Sequence, residues 1–240
     1  MYVCVRLGER ASVCARADTA DPGFPVFIIV VFILCILSLY WAVLFRADQN
    51  LRGLKVAVVD FDGQVAPYNQ GSVQPFVGPM VTQMAKKQYT AVRQTSLGYT
   101  VVPPAQYHND PLEVRRSVYE FDAWAAIIVN ANASALLQGA IDSGNSSYDP
   151  MGAIQVVVLT AKDQTTYYSY IIPQLEAFQR QFMAEFSQAW MQRLASNYTL
   201  TPASLARAPA AVNPGIGFQQ VDLRPFQPAT ATPAVSIGLI

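Results

Sequence analysis

Twenty-four consecutive residues, Pro22 to Phe45, carry no formal charge, and the stretch from Pro25 to Phe45 (PVFIIVVFILCILSLYWAVLF) is almost wholly aliphatic and aromatic. At about 1.5 Å of rise per residue, such a run spans the roughly 30 Å hydrocarbon core of a bilayer once it is helical. Tyr40 and Trp41 stand near one end, where amphipathic rings favour the headgroup zone, and Arg46 follows as a polar stop. A cleaved signal peptide has an apolar core of only about 7 to 15 residues, and no small-residue cleavage site follows directly here. The run therefore reads as one uncleaved transmembrane helix over residues 24–46, preceded by a tail over 1–23.

The rest of the chain is sized for one further domain. With 240 residues, 52% hydrophobic and 13% charged, and a mean hydropathy of +0.23, the chain is too apolar for a disordered tail. Its 16 basic and 16 acidic residues cancel, so no electrostatic footprint points to nucleic acid. Cys4, Cys14 and Cys35 all precede residue 36, so the remaining chain has neither internal disulfides nor a thiolate metal site.

Basic residues do not decide the orientation of the helix, because Arg6, Arg10 and Arg16 before it balance Arg46, Arg52 and Lys55 after it. Three N-x-[ST] sequons, at Asn132, Asn145 and Asn197, all follow it. They favour a cytosolic N-terminus and an extracytoplasmic remainder, with those asparagines as candidate glycosylation sites. Cys4 and Cys14 would then be cytosolic thiols open to palmitoylation, although unmodified tail cysteines are the simpler reading.

From residue 50 to about 200 the patterning alternates. Leu54–Asp60 (LKVAVVD) is a β-branched run closing on Asp60-Phe61-Asp62-Gly63, a buried strand feeding a turn. Gln74–Gln88 carries apolar residues at helical spacing, with Ser72 as N-cap, Pro75 in the first turn and a potential kink at Gly78-Pro79. Tyr99–Val102, Ala125–Val129 and Ile154–Leu159 read as further strands, Pro111–Phe121 and Ser134–Ile141 as helices, and Thr165–Ala195 as one long helix. The expectation is an α/β (or α+β) domain: a sheet of about four strands with right-handed crossovers and covering helices. On the long helix Ile171, Leu175, Phe178, Phe182, Phe186, Trp190 and Leu194 share one stripe, which reads as core before it reads as a ligand groove or partner surface. Beyond Thr201, prolines at 202, 209, 214, 225, 228 and 233 indicate an extended linker over 201–240 that leads to the apolar Val235–Ile240.

The sharpest chemical candidate is Asp60-Phe61-Asp62-Gly63, two carboxylates delivered at a strand end. It resembles the first motif of haloacid-dehalogenase-type phosphotransferases, which would make Asp60 a nucleophile and Asp62 a general acid/base, both aided by magnesium. The departures are Gln64 where a Thr or Val is usual, and no later acidic pair at a strand end; Thr160 and Lys162 offer only a loose imitation of the family's hydroxyl and lysine motifs. His108, the sole histidine, reads as a solvated loop residue, and Lys86-Lys87 as a solvated helix end. No phosphate loop is present, and Gly215-x-Gly217 has no strand ahead of it. These observations commit to no catalytic, cofactor-binding or metal residues, and to a chain that is not an enzyme.

The order of segments carries a resemblance of its own. The apolar helix, Leu54–Gly63, Leu97-Gly98-Tyr99, Ala123–Asn130, Tyr167–Pro173, and Asp222-Leu223-Arg224-Pro225-Phe226 leading to Gly238-Leu239-Ile240 together resemble the fungal nitrosoguanidine-resistance family, related to ABC-2-type permeases. The resemblance covers residues 25–240. It implies a multi-pass plasma-membrane protein whose first helix and later helical bundle flank a large extracytoplasmic domain, associated with drug resistance and with lipid or solute handling. The later helices are missing here, so the chain reads as the front part of such a protein, with the bilayer, the missing helices or a second copy as partners. The alternative is a single-pass, signal-anchored binding or scaffold protein.

Overall fold

The computed structural model describes residues 2–6, 12–16, 23–44, 47–70, 73–91, 96–196 and 202–226. The chain divides into two units, Met1–Ala47 and Asp48–Ile240. In the first, β1 (Tyr2–Arg6) and β2 (Ser12–Arg16) pair antiparallel with Cys4 opposite Cys14, so the expected tail contains a small ladder. Helix α1 follows over Gly23–Leu44. Its described side chains, at residues 25–39 and 41, are all exposed. Among the described residues no helix is long and apolar enough to cross a membrane. The expected span over 24–46 rests on the sequence.

The second unit is a mixed α/β domain. Its elements are β3 (Lys55–Asp60), α2 (Val77–Thr90), β4 (Gly98–Val102), α3 (Pro111–Tyr119), β5 (Ala125–Val129), α4 (Ala133–Ser143) and β6 (Ile154–Val158). A short turn α5 (Gln164–Thr166), the long α6 (Ile172–Ser196), α7 (Pro202–Arg207), α8 (Pro209–Val212) and β7 (Phe218–Asp222) complete it. The strand order is β4-β3-β5-β6-β7, with β6 antiparallel to β5 and every other neighbouring pair parallel. Crossovers β3-α2-β4 and β4-α3-β5 run in opposite directions along the sheet, and right-handed connections of that kind put their helices on opposite faces. All of β5, and β3 from Val56 onward, are buried, which is why both read as unbroken apolar runs.

Every residue of the predicted α6 stripe is buried, from Ile171 to Leu194. Tyr99 on β4 meets Phe178 at 4.9 Å between ring centroids, and Phe218 on β7 meets Phe182 edge-on at 5.6 Å. One helix therefore ties both edge strands into a single core, each buried phenylalanine contributing about 2 to 3 kcal/mol. The helical run is unbroken from Gln164 to Ser196, as the periodicity suggests, but it is not α-helical throughout: a π-turn over Tyr167–Ile171 joins α5 to α6, next to Pro173, whose missing N–H interrupts the α ladder.

Two expectations are corrected. The sheet has five strands, not about four, and the domain does not give way to a linker after residue 200. Over 202–226 the prolines sit at helix starts and turns; Ala208, Ala211 and Ile216 are buried, and the indole N–H of Trp190 donates to the Ala211 carbonyl at 2.9 Å. β7 was illegible because Gln219 and Gln220 are exposed on an edge strand, leaving too little alternation to read. Residues 227–240 lie outside the described residues, as do Ser72 and Asn197.

Candidate functional site

The strand order reverses direction beside β3, so the crevice outside the carboxyl ends of β3 and β5 is the switch point at which open α/β sheets carry their ligands. Asp60 ends β3 there, and Phe61 and Gly63 extend the pairing by donating to Val129 and Ala131 carbonyls. Gly63 takes a left-handed φ of 64° and turns the chain away after the two aspartates, and Asp62 lies at two helix N-termini.

Asp62 is 1% exposed. Its Oδ2 accepts from the Gly78 N–H at 3.1 Å and from the Ser134 hydroxyl at 2.5 Å, and its Oδ1 accepts from the Ser134 N–H at 3.0 Å. The Ser134 oxygen in turn accepts from the Phe76 and Val77 N–H groups at 2.7 and 3.0 Å. The first turns of α2 and α4 are thus capped from a distance by one carboxylate and one hydroxyl, where negative charge also meets the positive end of each helix dipole. Helix α2 starts at Val77 with no side-chain cap from Phe76, so Gly78-Pro79 falls in its first turn and not at an internal kink.

Asp60, 6% exposed, accepts from the Asp62 N–H at 2.9 Å and lies against Gly78, so closely that a Cβ there would fall within 2.5 Å of its Oδ2. Burial lifts its carboxyl from the ordinary 3.8 to about 6, opposed by the Asp62 N–H hydrogen bond and assisted by the charge of Asp62. Stability is therefore expected to fall as pH rises from about 4 to 6, because the unfolded chain releases this proton first and the folded chain must ionise a buried group. Near pH 7 the cost is about 2 to 3 kcal/mol. Asp60→Asn, which keeps an acceptor for the Asp62 N–H, is expected to remove that slope and raise stability at pH 7 by about 2 kcal/mol. Urea midpoints of the full chain in detergent at pH 4, 5, 6 and 7 measure it; a slope retained in the variant would assign the effect to another group.

Of the residues that imitated a phosphotransferase, the structure brings together only Asp60 and Asp62. Because β6 runs antiparallel, Thr160 and Lys162 emerge at the opposite end of the sheet. There Thr160 donates to Asp222 Oδ2 at 2.6 Å and accepts from the Phe226 N–H at 2.9 Å, clasping β7, while the Lys162 ammonium lies 4.0 Å from the Trp124 ring centroid. Among the described residues no group of three or more His, Cys, Asp or Glu could hold a metal ion. His108 is exposed in a turn with φ 52°, Lys87 pairs with Glu185 at 3.2 Å while Lys86 is exposed, and Gly215 and Gly217 are buried ahead of β7. Asn145 is exposed and Asn132 half-buried at the start of α4, its sequon hydroxyl being the Ser134 group bound to Asp62. Sequence reasoning missed Ser134 as a site residue, since a cap supplied 57 positions away leaves no local signal.

A second concavity, about 400 Å³, lies along β3 and β4 beside α3, with Ala57 and Val102 as apolar floor and Lys55 and Asp122 among its polar residues. Among the described residues neither of those two charges is in an ion pair.

A comparison with curated proteins returns no match. Among solved structures, the chain is similar to a "domain of a putative ABC type-2 transporter from Thermotoga maritima MSB8" at 14% identity and a TM-score of 0.33, over 77% of this chain and 99% of that one. A superposition this loose transfers neither fold nor activity. A family model described as "Protein of unknown function (DUF3533)" matches residues 25–240, from inside α1 through the whole α/β domain, and the chain belongs to that family.

Proposed function

We propose that the chain is the membrane-anchored, extracytoplasmic part of an ABC-2-like membrane protein that exports or redistributes hydrophobic compounds or lipids. The observation that carries this reading is the unbroken run of exposed side chains over residues 25–39, nearly all aliphatic or aromatic, on α1. Water does not tolerate such a surface without cover, and a bilayer supplies it. The family match begins inside this helix and so takes in most of the anchor as well as the domain, and the segment order resembles the nitrosoguanidine-resistance proteins. The domain would act as a lid or assembly surface rather than a catalyst: of the two buried carboxylates at the switch point, Asp62 is engaged in capping helices and Asp60 holds the Asp62 N–H. On the same reading, lipid and further membrane helices or a second copy are its partners, and the plasma membrane its location.

Anchoring and sidedness are tested together. Expressed in a secretory cell, the full chain is expected to remain in the membrane pellet after alkaline carbonate extraction. Glycosidase treatment should shift its mobility, with the shift reduced in Asn145→Gln and lost when Asn132, Asn145 and Asn197 are all replaced by Gln. Extraction into the supernatant would defeat the anchor, and a chain that stays in the pellet unglycosylated would reverse the orientation. The cleft with unpaired Lys55 and Asp122 favours a second reading, a single-pass protein that binds a small polar ligand. Loss of the gene should lower tolerance to hydrophobic drugs under the first reading and leave it unchanged under the second.

A further inference from the structure

The chain enters the domain at Asp48, just ahead of Lys55 at the amino end of β3. Register pairs Val56 with Ala125, Ala125 with Val158, and Val158 with Asp222. The start of β5 and the ends of β6 and β7 therefore lie at that same end of the sheet, and so does Phe226, whose N–H donates to the Thr160 hydroxyl.

The exposed side chains divide along the same axis. Among the described residues of the domain, Tyr89, Tyr119, Phe121 and Tyr168 are the aromatic side chains more than half exposed. All four belong to this end. Tyr89 is in the last turn of α2, whose following carbonyl, Ala91, accepts from Arg52; Tyr119 and Phe121 close α3 ahead of β5; Tyr168 follows Tyr167, whose hydroxyl donates to the Trp124 carbonyl. Exposed aliphatic residues at the other end, Leu112, Leu136 and Met151, include no aromatic. Phe121 takes a left-handed φ of 72°, and the Lys162 ammonium lies 4.9 Å from its ring centroid.

Tyrosine and other amphipathic rings concentrate at membrane–water interfaces, where one part of the ring is dry and the other wet. We propose that this end of the domain rests in the headgroup zone of a phospholipid bilayer, with Tyr89, Tyr119, Phe121 and Tyr168 as interfacial anchors. The inference rests on the membrane-anchored reading above and adds to it which face of the domain meets lipid. Exposed charges of both signs at this end, Arg52, Lys55 and Arg224 with Glu120, Asp122 and Asp163, fit zwitterionic headgroups better than a strongly anionic surface.

The test uses the full chain with its three cysteines replaced by serine, reconstituted in phosphatidylcholine vesicles. A fluorophore is attached at Ile33→Cys, Tyr119→Cys or Leu136→Cys, and quenching by nitroxide-labelled lipids is read at each. Strong quenching at 33 and 119, several-fold above that at 136, is the expected result. Quenching at 33 with 119 no more quenched than 136 overturns the inference and leaves the anchor standing. No quenching at 33 overturns the anchored reading and this inference with it. To separate anchoring from mere proximity, a label at Tyr89→Cys is compared with and without Tyr119→Ser, Phe121→Ser and Tyr168→Ser. Quenching should drop several-fold when the rings are gone, and unchanged quenching would overturn their role as anchors.

Discussion

Asp62→Ala is expected to cost the domain about 4 kcal/mol, a large share of the roughly 5 to 15 kcal/mol that holds a domain folded. The carboxylate is buried and receives three hydrogen bonds, from Gly78, from the Ser134 backbone and from the Ser134 hydroxyl. Alanine leaves those donors without partners in a site closed to water, and each orphaned group costs about 1 to 3 kcal/mol. Ser134→Ala should cost less, about 2 kcal/mol, because it strands the Phe76 and Val77 N–H groups but leaves Asp62 two of its donors. Since the two residues act through one network, the double variant is expected to lose less than the sum of the singles. Chemical unfolding of the three variants reads all of this. An Asp62→Ala protein within about 1 kcal/mol of the parent would show that water or a shifted helix replaces the caps.

Gly78→Ala is expected to destabilise by about 2 to 3 kcal/mol, against the ordinary trend. At an exposed helix position the change would gain about 1 kcal/mol, because alanine is the better helix former. Here the added methyl would overlap the Asp60 carboxylate, with Oδ2 at 2.5 Å and Oδ1 and Cγ nearer still. Either α2 lifts off β3 or Asp60 leaves its hydrogen bond to the Asp62 N–H. In an Asp60→Ala background the space is clear, and Gly78→Ala should there be neutral or stabilising. A double-mutant cycle therefore carries a coupling of about 2 kcal/mol or more if the contact is the cause, and none if the glycine serves the backbone alone.

Much of the architecture was legible because it depends on local period. Ala125–Val129 is the strand that its five apolar residues announce, and the α6 stripe is buried at every position the helical spacing named. Asp60 and Asp62 stood out as carboxylates at a strand end, and they do form the polar centre of the switch-point crevice. What they do there was not legible. Their partners, Gly78 and Ser134, lie 16 and 72 positions beyond Asp62, and no spacing rule connects an aspartate to helix N-termini that far away.

Sequence by itself determined the apolar helix, the strands β3 to β6 and the inward faces of α2 and α6, since apolar burial is recorded residue by residue in a period of 2 or 3.6. Only the tertiary structure decided strand direction and the fate of residues 202–226. Antiparallel β6 carries Thr160 and Lys162 away from the carboxylates, and β7 forms because β6 offers it an open edge, not because its own residues insist on a strand. Backbone hydrogen bonds are the same for every residue, so which strands they join, and in which direction, is set by long-range packing rather than by any local pattern.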